Sequence, residues 1–212
     1  MSSGDEAKKL IEETEWMRVY RVGRTERLES KFLKDGIEVS ADSIKQRWHE
    51  WGPVKQLDFA NAFKAKPVLT TEDQEILRFL MESGSELTWG AIAYLLPRYS
   101  DRERAFSFLL EQAAAGGRCV ANYYQALERM GDTRAVPLLR ERYEQYRRKL
   151  VPLEGQGLHS GLSEYDVCCR ALWKLDGSQE YEDALKSLLT HPDESIRRRA
   201  HYYLFDQWPQ QK

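Results

Sequence analysis

Residues able to perform catalysis are few in this chain and lie far apart. The four histidines are His49, His159, His191 and His201. No two of them have the i, i+4 spacing of a helical zinc site. The sequence also lacks HExxH, GxSxG, P-loop and GxGxxG motifs. We therefore expect no catalytic residue, no metal and no cofactor.

Two other groups with chemical potential have simpler structural interpretations. The segment Gly155–Gly161 is rich in glycine but lacks the lysine and the strand–helix setting of a phosphate-binding loop, which favours a connection between helices. It belongs to the longest apparent loop, 151–162, so a functional role for this loop stays open. Adjacent Cys168 and Cys169 are expected to be small buried residues on a packed helix rather than nucleophiles.

The composition is typical of a soluble, folded protein. Hydrophobic residues make up 42% and charged residues 31% of the 212 residues, which excludes a disordered chain. Lys plus Arg number 32 and Asp plus Glu 34, and the resulting net charge of −2 argues against non-specific nucleic-acid binding. No apolar run approaches the roughly 20 residues of a membrane span, and the N-terminus lacks a secretory apolar segment. We expect reduced thiols, a cytoplasmic protein and no membrane partner.

The first third of the chain, residues 1–66, is predicted to be a helical cap segment. Residues 5–34 are rich in helix formers, although residues 16–22 also suit a short strand. Further helices are expected at 40–51 and 54–63, separated by Gly52 and Pro53. Trp48 and Trp51 are three residues apart and share a helix face. We expect them to anchor this segment to the helices that follow.

From residue 67 onward, capping signals recur and predict eight helices in four consecutive pairs. Capping boxes are expected at Thr71 with Gln74 and at Ser100 with Glu103, and Gly131 suits a helix C-terminus. The expected helices are 72–82, 86–96, 101–115, 118–130, 133–150, 163–175, 179–189 and 193–208.

A small residue lies at the centre of the second helix of each pair. The aligned alanines are Ala91, Ala126, Ala171 and Ala200. Four residues before them stand Leu87, Asn122, Val167 and Ile196, and four residues after them stand Leu95, Met130, Leu175 and Leu204. Because alanine lets a neighbouring helix approach closely, we expect these stripes to be buried and the pairs to stack into one core.

Two segments resemble HEAT repeats. Gly131–Leu139 is similar to the start of a repeat in the HEAT and phycobilin-lyase-like HEAT families, with Asp132 as a cap and Pro137 in the first turn. His191–Ala200 is similar to their DxxxxVRxxAxxAL segment. The resemblance covers about residues 70–208 and implies an α-solenoid, usually a scaffold for protein contacts. For Arg197 it implies a pairing with an aspartate of a neighbouring repeat.

Residues two positions before or after each aligned alanine lie about 200° around the helix, on the open face of the predicted stack. If the array curves as solenoids do, this face is concave. The candidate binding residues are Trp89, Tyr124, Glu128, Trp173, Arg198 and Tyr202. Aromatic residues and arginine contribute most strongly to protein interfaces. The alternative is that these aromatic residues pack between repeats as core.

The sequence therefore predicts an all-α protein, with an N-terminal helical cap at 1–66 and about four HEAT-like pairs at 67–212. The predicted function is a non-enzymatic scaffold that binds a protein or peptide on its concave face. One alternative is a nucleic-acid-binding protein of the alkylpurine DNA glycosylase type, in which Trp173 and Glu128 would act together. The near-neutral charge argues against it. The other alternative, a tetrapyrrole (bilin) lyase-like protein, has only the repeat resemblance in its favour.

Overall fold

Every regular element of the described chain is helical. The computed structural model describes residues 40–64, 66, 68–150 and 160–205. The α-helices in these ranges are α1 (Ala41–Arg47), α2 (Pro53–Lys64), α3 (Thr71–Ser83), α4 (Glu86–Ile92), α5 (Arg102–Ala115), α6 (Val120–Met130), α7 (Val136–Leu150), α8 (Ser160–Asp176), α9 (Gln179–Ser187) and α10 (Glu194–Phe205). Short 3₁₀ turns occur at Trp48–Glu50, Leu96–Arg98, Thr133–Ala135 and Leu188–Thr190. The predicted all-α class is confirmed for the part of the chain that the structure describes.

The helices predicted within residues 5–34, and loop residues 151–159, lie outside the described residues. Within the described ranges, no helix is both long enough and apolar enough to cross a membrane.

The eight helices predicted after residue 67 are all present as α3–α10, with shifted ends. The cap of α3 is Thr70 rather than Thr71: its hydroxyl accepts the N–H of Asp73, whose carboxylate accepts the N–H of Thr70. At the start of α5, Asp101 rather than Ser100 accepts the backbone N–H three residues further on. At both sites two adjacent residues have capping side chains, so local sequence does not distinguish between them.

By internal contacts the chain divides into two units, Met1–Ile92 and Ala93–Lys212. In the first unit α1 packs on α3, and α4 packs on both α2 and α3. Its core contains the buried indole of Trp48, whose ring centroid lies 6.1 Å from that of Phe59 and 6.0 Å from that of Phe79. The indole N–H of Trp48 donates to the carbonyl of Ser83 at 3.1 Å. Trp48 therefore contacts α3, as the sequence predicts, whereas the cap segment and its boundary at residue 66 stay predictions.

The connection between α3 and α4 depends on a close approach at Gly84. A Cβ atom at this position would lie 2.5 Å from the carbonyl oxygen of Leu80 and 2.7 Å from Nε1 of Trp89. The space is filled because the indole of Trp89 folds back over the end of α3 and donates to the Leu80 carbonyl at 2.9 Å. Trp89 is consequently half-buried within the first unit.

In the second unit, α8 is the central helix. It packs against α6, α7, α9 and α10, and α5 packs against α6. The second helices of three predicted pairs therefore contact one another in the order α6, α8, α10. This order places side chains from separate parts of the chain beside one another.

The aligned alanines are buried, as the repeat pattern predicts. They are Ala91, Ala126, Ala171 and Ala200. The residues four positions before and after these alanines are not all buried. Leu87 is 42% exposed, and Leu175 and Leu204 are half-buried. Because alanine is small, Ala126, Ala171 and Ala200 permit close approach of α8 to α6 and α10, which pack against it.

Arginine ion pairs connect helices of the second unit, between two consecutive pairs in one case and within the α7–α8 pair in the other. Arg134 forms ion pairs with Glu103 of α5 at 2.8 Å and with Asp132 at 2.6 Å. Arg140 of α7 forms an ion pair with Asp176 of α8 at 2.9 Å. Asp132 also accepts the backbone N–H of Arg134, which gives it the capping role expected from the HEAT-like segment.

The ion pair between α8 and α10 is made by a different arginine from the one that the resemblance implies. Arg197 donates to the carbonyls of His191 and Pro192 in its own turn. Arg199, two residues later, pairs with Asp166 of α8 at 2.7 Å.

Candidate binding face on the second helices

Five of the six predicted binding residues lie on α6, α8 and α10, whereas Trp89 belongs to the first unit. Tyr124 is fully buried, and its hydroxyl lies 3.2 Å from that of Tyr146 on α7. The predicted exposure of Tyr124 is therefore wrong, and the core interpretation applies to it. The equivalent residue of α8, Cys169, is buried as well. The apolar surface of these helices is wider than one stripe, because α6 and α8 each contact several neighbours.

Glu128 on α6 lies among several cations. Its side chain is only 11% exposed, and Oε1 lies 3.1 Å from Nε of Arg170 on α8. Burial raises the pKa of Glu128, while Arg170, Arg129 and Lys174 oppose this rise. Three cationic side chains thus act on one carboxylate, and the group carries a surplus of positive charge.

Arg170 connects α6 to α10 as well as neutralising Glu128. Its guanidinium carbon lies 5.5 Å from the ring centroid of Tyr202 and 5.1 Å from that of Tyr203. Such cation–π contacts contribute about 0.5–1 kcal/mol each at partly exposed sites. Tyr203 is buried, whereas Tyr202 is half-buried and partly accessible at the surface.

The other two cations also lie over aromatic rings. Nζ of Lys174 is 4.1 Å from the ring of Trp173 on the same helix, and the guanidinium carbon of Arg129 is 5.0 Å from the ring of Tyr94. Both cations are exposed, and Trp173 is half-buried. We call Glu128, Arg129, Arg170, Trp173, Lys174 and Tyr202 the cation–aromatic cluster.

Arg198 extends this surface along α10. Its side chain is 80% exposed, and it pairs with Glu194 one turn earlier at 2.7 Å. Exposed pairs within a helix are weak. The guanidinium can therefore exchange Glu194 for a carboxylate of a partner at little cost.

An ion pair between the buried Asp166 and the half-buried Arg199 connects α10 to α8, one turn from Arg170. Asp166 is fully buried, and Oδ2 accepts a hydrogen bond from Nε of Arg199 at 2.7 Å. Oδ1 of Asp166 makes no hydrogen bond within the described residues. Burial raises the pKa of the Asp166 carboxyl to about 6, although Arg199 acts in the opposite direction. The pair positions Tyr202, which lies three residues after Arg199.

The sequence pattern located part of this surface and missed the rest. Glu128, Trp173 and Tyr202 stand two residues after an aligned alanine, as predicted. Arg170 stands one residue before Ala171, and the missed cations Arg129 and Lys174 stand three residues after an aligned alanine. Positions −1 and +3 are one turn apart and share a face with +2. Searching those positions for cations would have identified the missing residues.

The arrangement is suited to binding by charge and aromatic contact. Cys168 and Cys169 are buried, and burial raises the pKa of both thiols, so neither is an activated nucleophile. Within the described ranges, no group of three or more His, Cys, Asp and Glu side chains is placed to hold a metal ion.

The chain matches no protein-family model, no curated protein and no solved structure. Its function is therefore inferred from its own contacts.

Proposed function

We propose that this chain is a non-enzymatic scaffold that binds a protein or peptide through the cation–aromatic cluster. The observation that carries the proposal is the position of Arg170 on α8, held between Glu128 on α6 and Tyr202 on α10, with the half-buried Trp173 on the same helix. Tryptophan, tyrosine and arginine are the residues most often responsible for affinity at protein interfaces.

The cluster is organised before a partner arrives. The ion pair of Arg170 with Glu128 and the stacking of Lys174 on Trp173 restrict these long side chains. A partner therefore has less side-chain entropy to remove on binding, and more of the contact energy contributes to affinity.

The proposal includes an architecture. The pairs α3–α4, α5–α6, α7–α8 and α9–α10 are HEAT-like repeats of a short α-solenoid over residues 67–212, and residues 1–66 form its cap. Supporting observations are the buried aligned alanines and the packing of α8 against both α6 and α10. On this architecture, the cluster lies on the concave face. The described cysteines are free thiols, which suits action in the cytoplasm.

The proposal is tested by selecting random displayed peptides on the full chain. The selected peptides are then measured against a Trp173→Ala/Tyr202→Ala variant. Loss of interface aromatic residues typically costs at least about 2 kcal/mol, so we expect binding to weaken roughly thirtyfold or more. The far-ultraviolet circular dichroism should not change.

The matched control is Phe205→Ala, which removes an exposed aromatic residue of α10 that contacts His201 rather than the cluster. It should leave affinity unchanged. Undiminished binding by the Trp173→Ala/Tyr202→Ala variant would refute the proposed face. Loss of the helical spectrum would show that these rings serve the core.

A further inference from the structure

We infer that the segment recognised by the cation–aromatic cluster is an acidic peptide, with glutamates or aspartates beside an apolar side chain. This inference rests on the proposed function and specifies the chemistry of its partner.

The charge balance of the cluster supports an acidic partner. Glu128 is its only carboxylate and is already paired with Arg170. Arg129 and Lys174 are exposed and stack on rings, and neither forms an ion pair with another described residue. These two cationic groups are therefore available to pair with carboxylates of a partner.

The rings beside these cations favour a peptide that offers both charge and apolar surface. Trp173 lies under Lys174 and excludes water from one side of the ammonium group. A carboxylate that approaches such a partly desolvated cation gains more Coulomb energy than it would in water. The remaining surface of Trp173 and Tyr202 can accommodate an apolar side chain of the same peptide.

The same charges fit a peptide better than a nucleic acid. A protein surface that binds nucleic acid needs a long series of cations to match the closely spaced phosphates. Here the cations are grouped around the single carboxylate of Glu128, while Glu194 lies beside Arg198 on the same face. The net charge of the chain is −2, which adds no general attraction for phosphate polymers.

The inference is tested by fluorescence anisotropy with three labelled peptides of equal length and identical leucine positions. Their remaining positions are glutamate, glutamine or lysine. A single-stranded DNA oligonucleotide of matched charge is the fourth probe. We expect the glutamate peptide to bind the full chain about tenfold or more tightly than the glutamine peptide, and to weaken as salt is added. The lysine peptide should not bind.

Charge reversal assigns the binding to the cluster. Arg129→Glu and Lys174→Glu should each reduce the affinity for the glutamate peptide about fivefold or more, because each replaces attraction by repulsion at an exposed position. Arg148→Glu makes the same change in net charge at an exposed position on α7. It should change the affinity less than about twofold.

Three results would each overturn the inference. The first is that the glutamine peptide binds as tightly as the glutamate peptide. The second is that the DNA binds more tightly than the glutamate peptide. The third is that Arg148→Glu and Lys174→Glu reduce the affinity for the glutamate peptide equally. Failure here is distinguishable from failure of the proposed function. If selected peptides bind through Trp173 without dependence on charge, the scaffold function stands and the acidic partner is rejected. If no peptide is selected and no probe binds, both are rejected.

Discussion

Replacing Arg199 with methionine should destabilise the protein by an amount that grows with pH. Asp166 is fully buried and is paired with Arg199 at 2.7 Å. Burial raises the pKa of the Asp166 carboxyl from 3.8 to about 6 even with this partner present. The folded protein therefore holds the proton more tightly than the unfolded chain does. The stability gained from this proton is fully present below about pH 4 and is lost as the pH rises through about 6.

The size of the effect follows from this linkage. Without Arg199 the pKa of Asp166 rises further, because the hydrogen bond and the charge that lower it are removed. Asp166 then stays protonated in the folded state, and each pH unit above the wild-type pKa adds at most about 1.36 kcal/mol. The pH-dependent loss should be near zero at about pH 5, up to about 1.4 kcal/mol at about pH 7, and nearly twice that at about pH 8.

The assay is urea unfolding followed by circular dichroism at these pH values. Comparing the destabilisation of the variant at different pH values cancels the part that comes from lost arginine packing, because that part does not depend on pH. Arg198→Met removes the same charge one residue away, at a side chain that is 80% exposed, and should change stability by less than about 0.5 kcal/mol. In an Asp166→Asn background, the effect of Arg199→Met should no longer vary with pH. Equal destabilisation by Arg199→Met across the whole pH range in the wild-type background would refute this reasoning.

Three further predictions concern the packing of the second unit. Tyr124→Phe removes one buried hydroxyl contact and should cost about 1 kcal/mol in urea unfolding, whereas Tyr124→Ala should cost about 3–5 kcal/mol. Gly131→Ala should cost about 1 kcal/mol in the same assay, because φ is 68° there, while Gly52→Ala, with no atom within 4 Å of its new Cβ, should cost nothing. In thiol labelling of the native protein, partly exposed Cys119 should react first, and Cys168 and Cys169 only on unfolding; rapid native labelling of all three would contradict their burial.

The helices could be predicted from the sequence because their signals are local. Apolar spacing and capping residues located α3–α10 in the right order, and the aligned alanines identified the buried side of each second helix. The predicted cap of α3, Thr71, is one residue away from the observed cap, Thr70, because both residues have a hydroxyl that can cap a helix.

The binding face was only partly predictable because it depends on contacts between distant residues. Tyr124 is buried against Tyr146 of α7, which is 22 residues away. The apolar pattern of α6 does not indicate that α7 covers this side of it. Arg170 pairs with Glu128 across 42 residues. Neither contact has a signature within its own helix. Both follow from the order in which α6, α7 and α8 pack.

The Asp166–Arg199 pair and the cluster together suggest how the face keeps its shape. Asp166 and Arg199 hold α10 against α8, and Arg170 extends from α8 to rings of α10 and the carboxylate of α6. Loss of Arg199 should therefore also weaken the glutamate peptide at neutral pH, although Arg199 is not itself part of the cluster.

The most direct test of the binding face is the indole N–H signal of Trp173 in heteronuclear NMR during titration with the glutamate peptide. Trp48 is the internal reference, because its indole is buried in the first unit and its N–H donates a hydrogen bond to the carbonyl of Ser83. We predict that the Trp173 signal shifts and saturates with the affinity measured by anisotropy. The Trp48 signal should stay in place, and Lys174→Glu should raise the peptide concentration at the midpoint of the Trp173 shift about fivefold or more. Saturable binding of the peptide with an unmoved Trp173 signal would contradict a binding face on α6, α8 and α10.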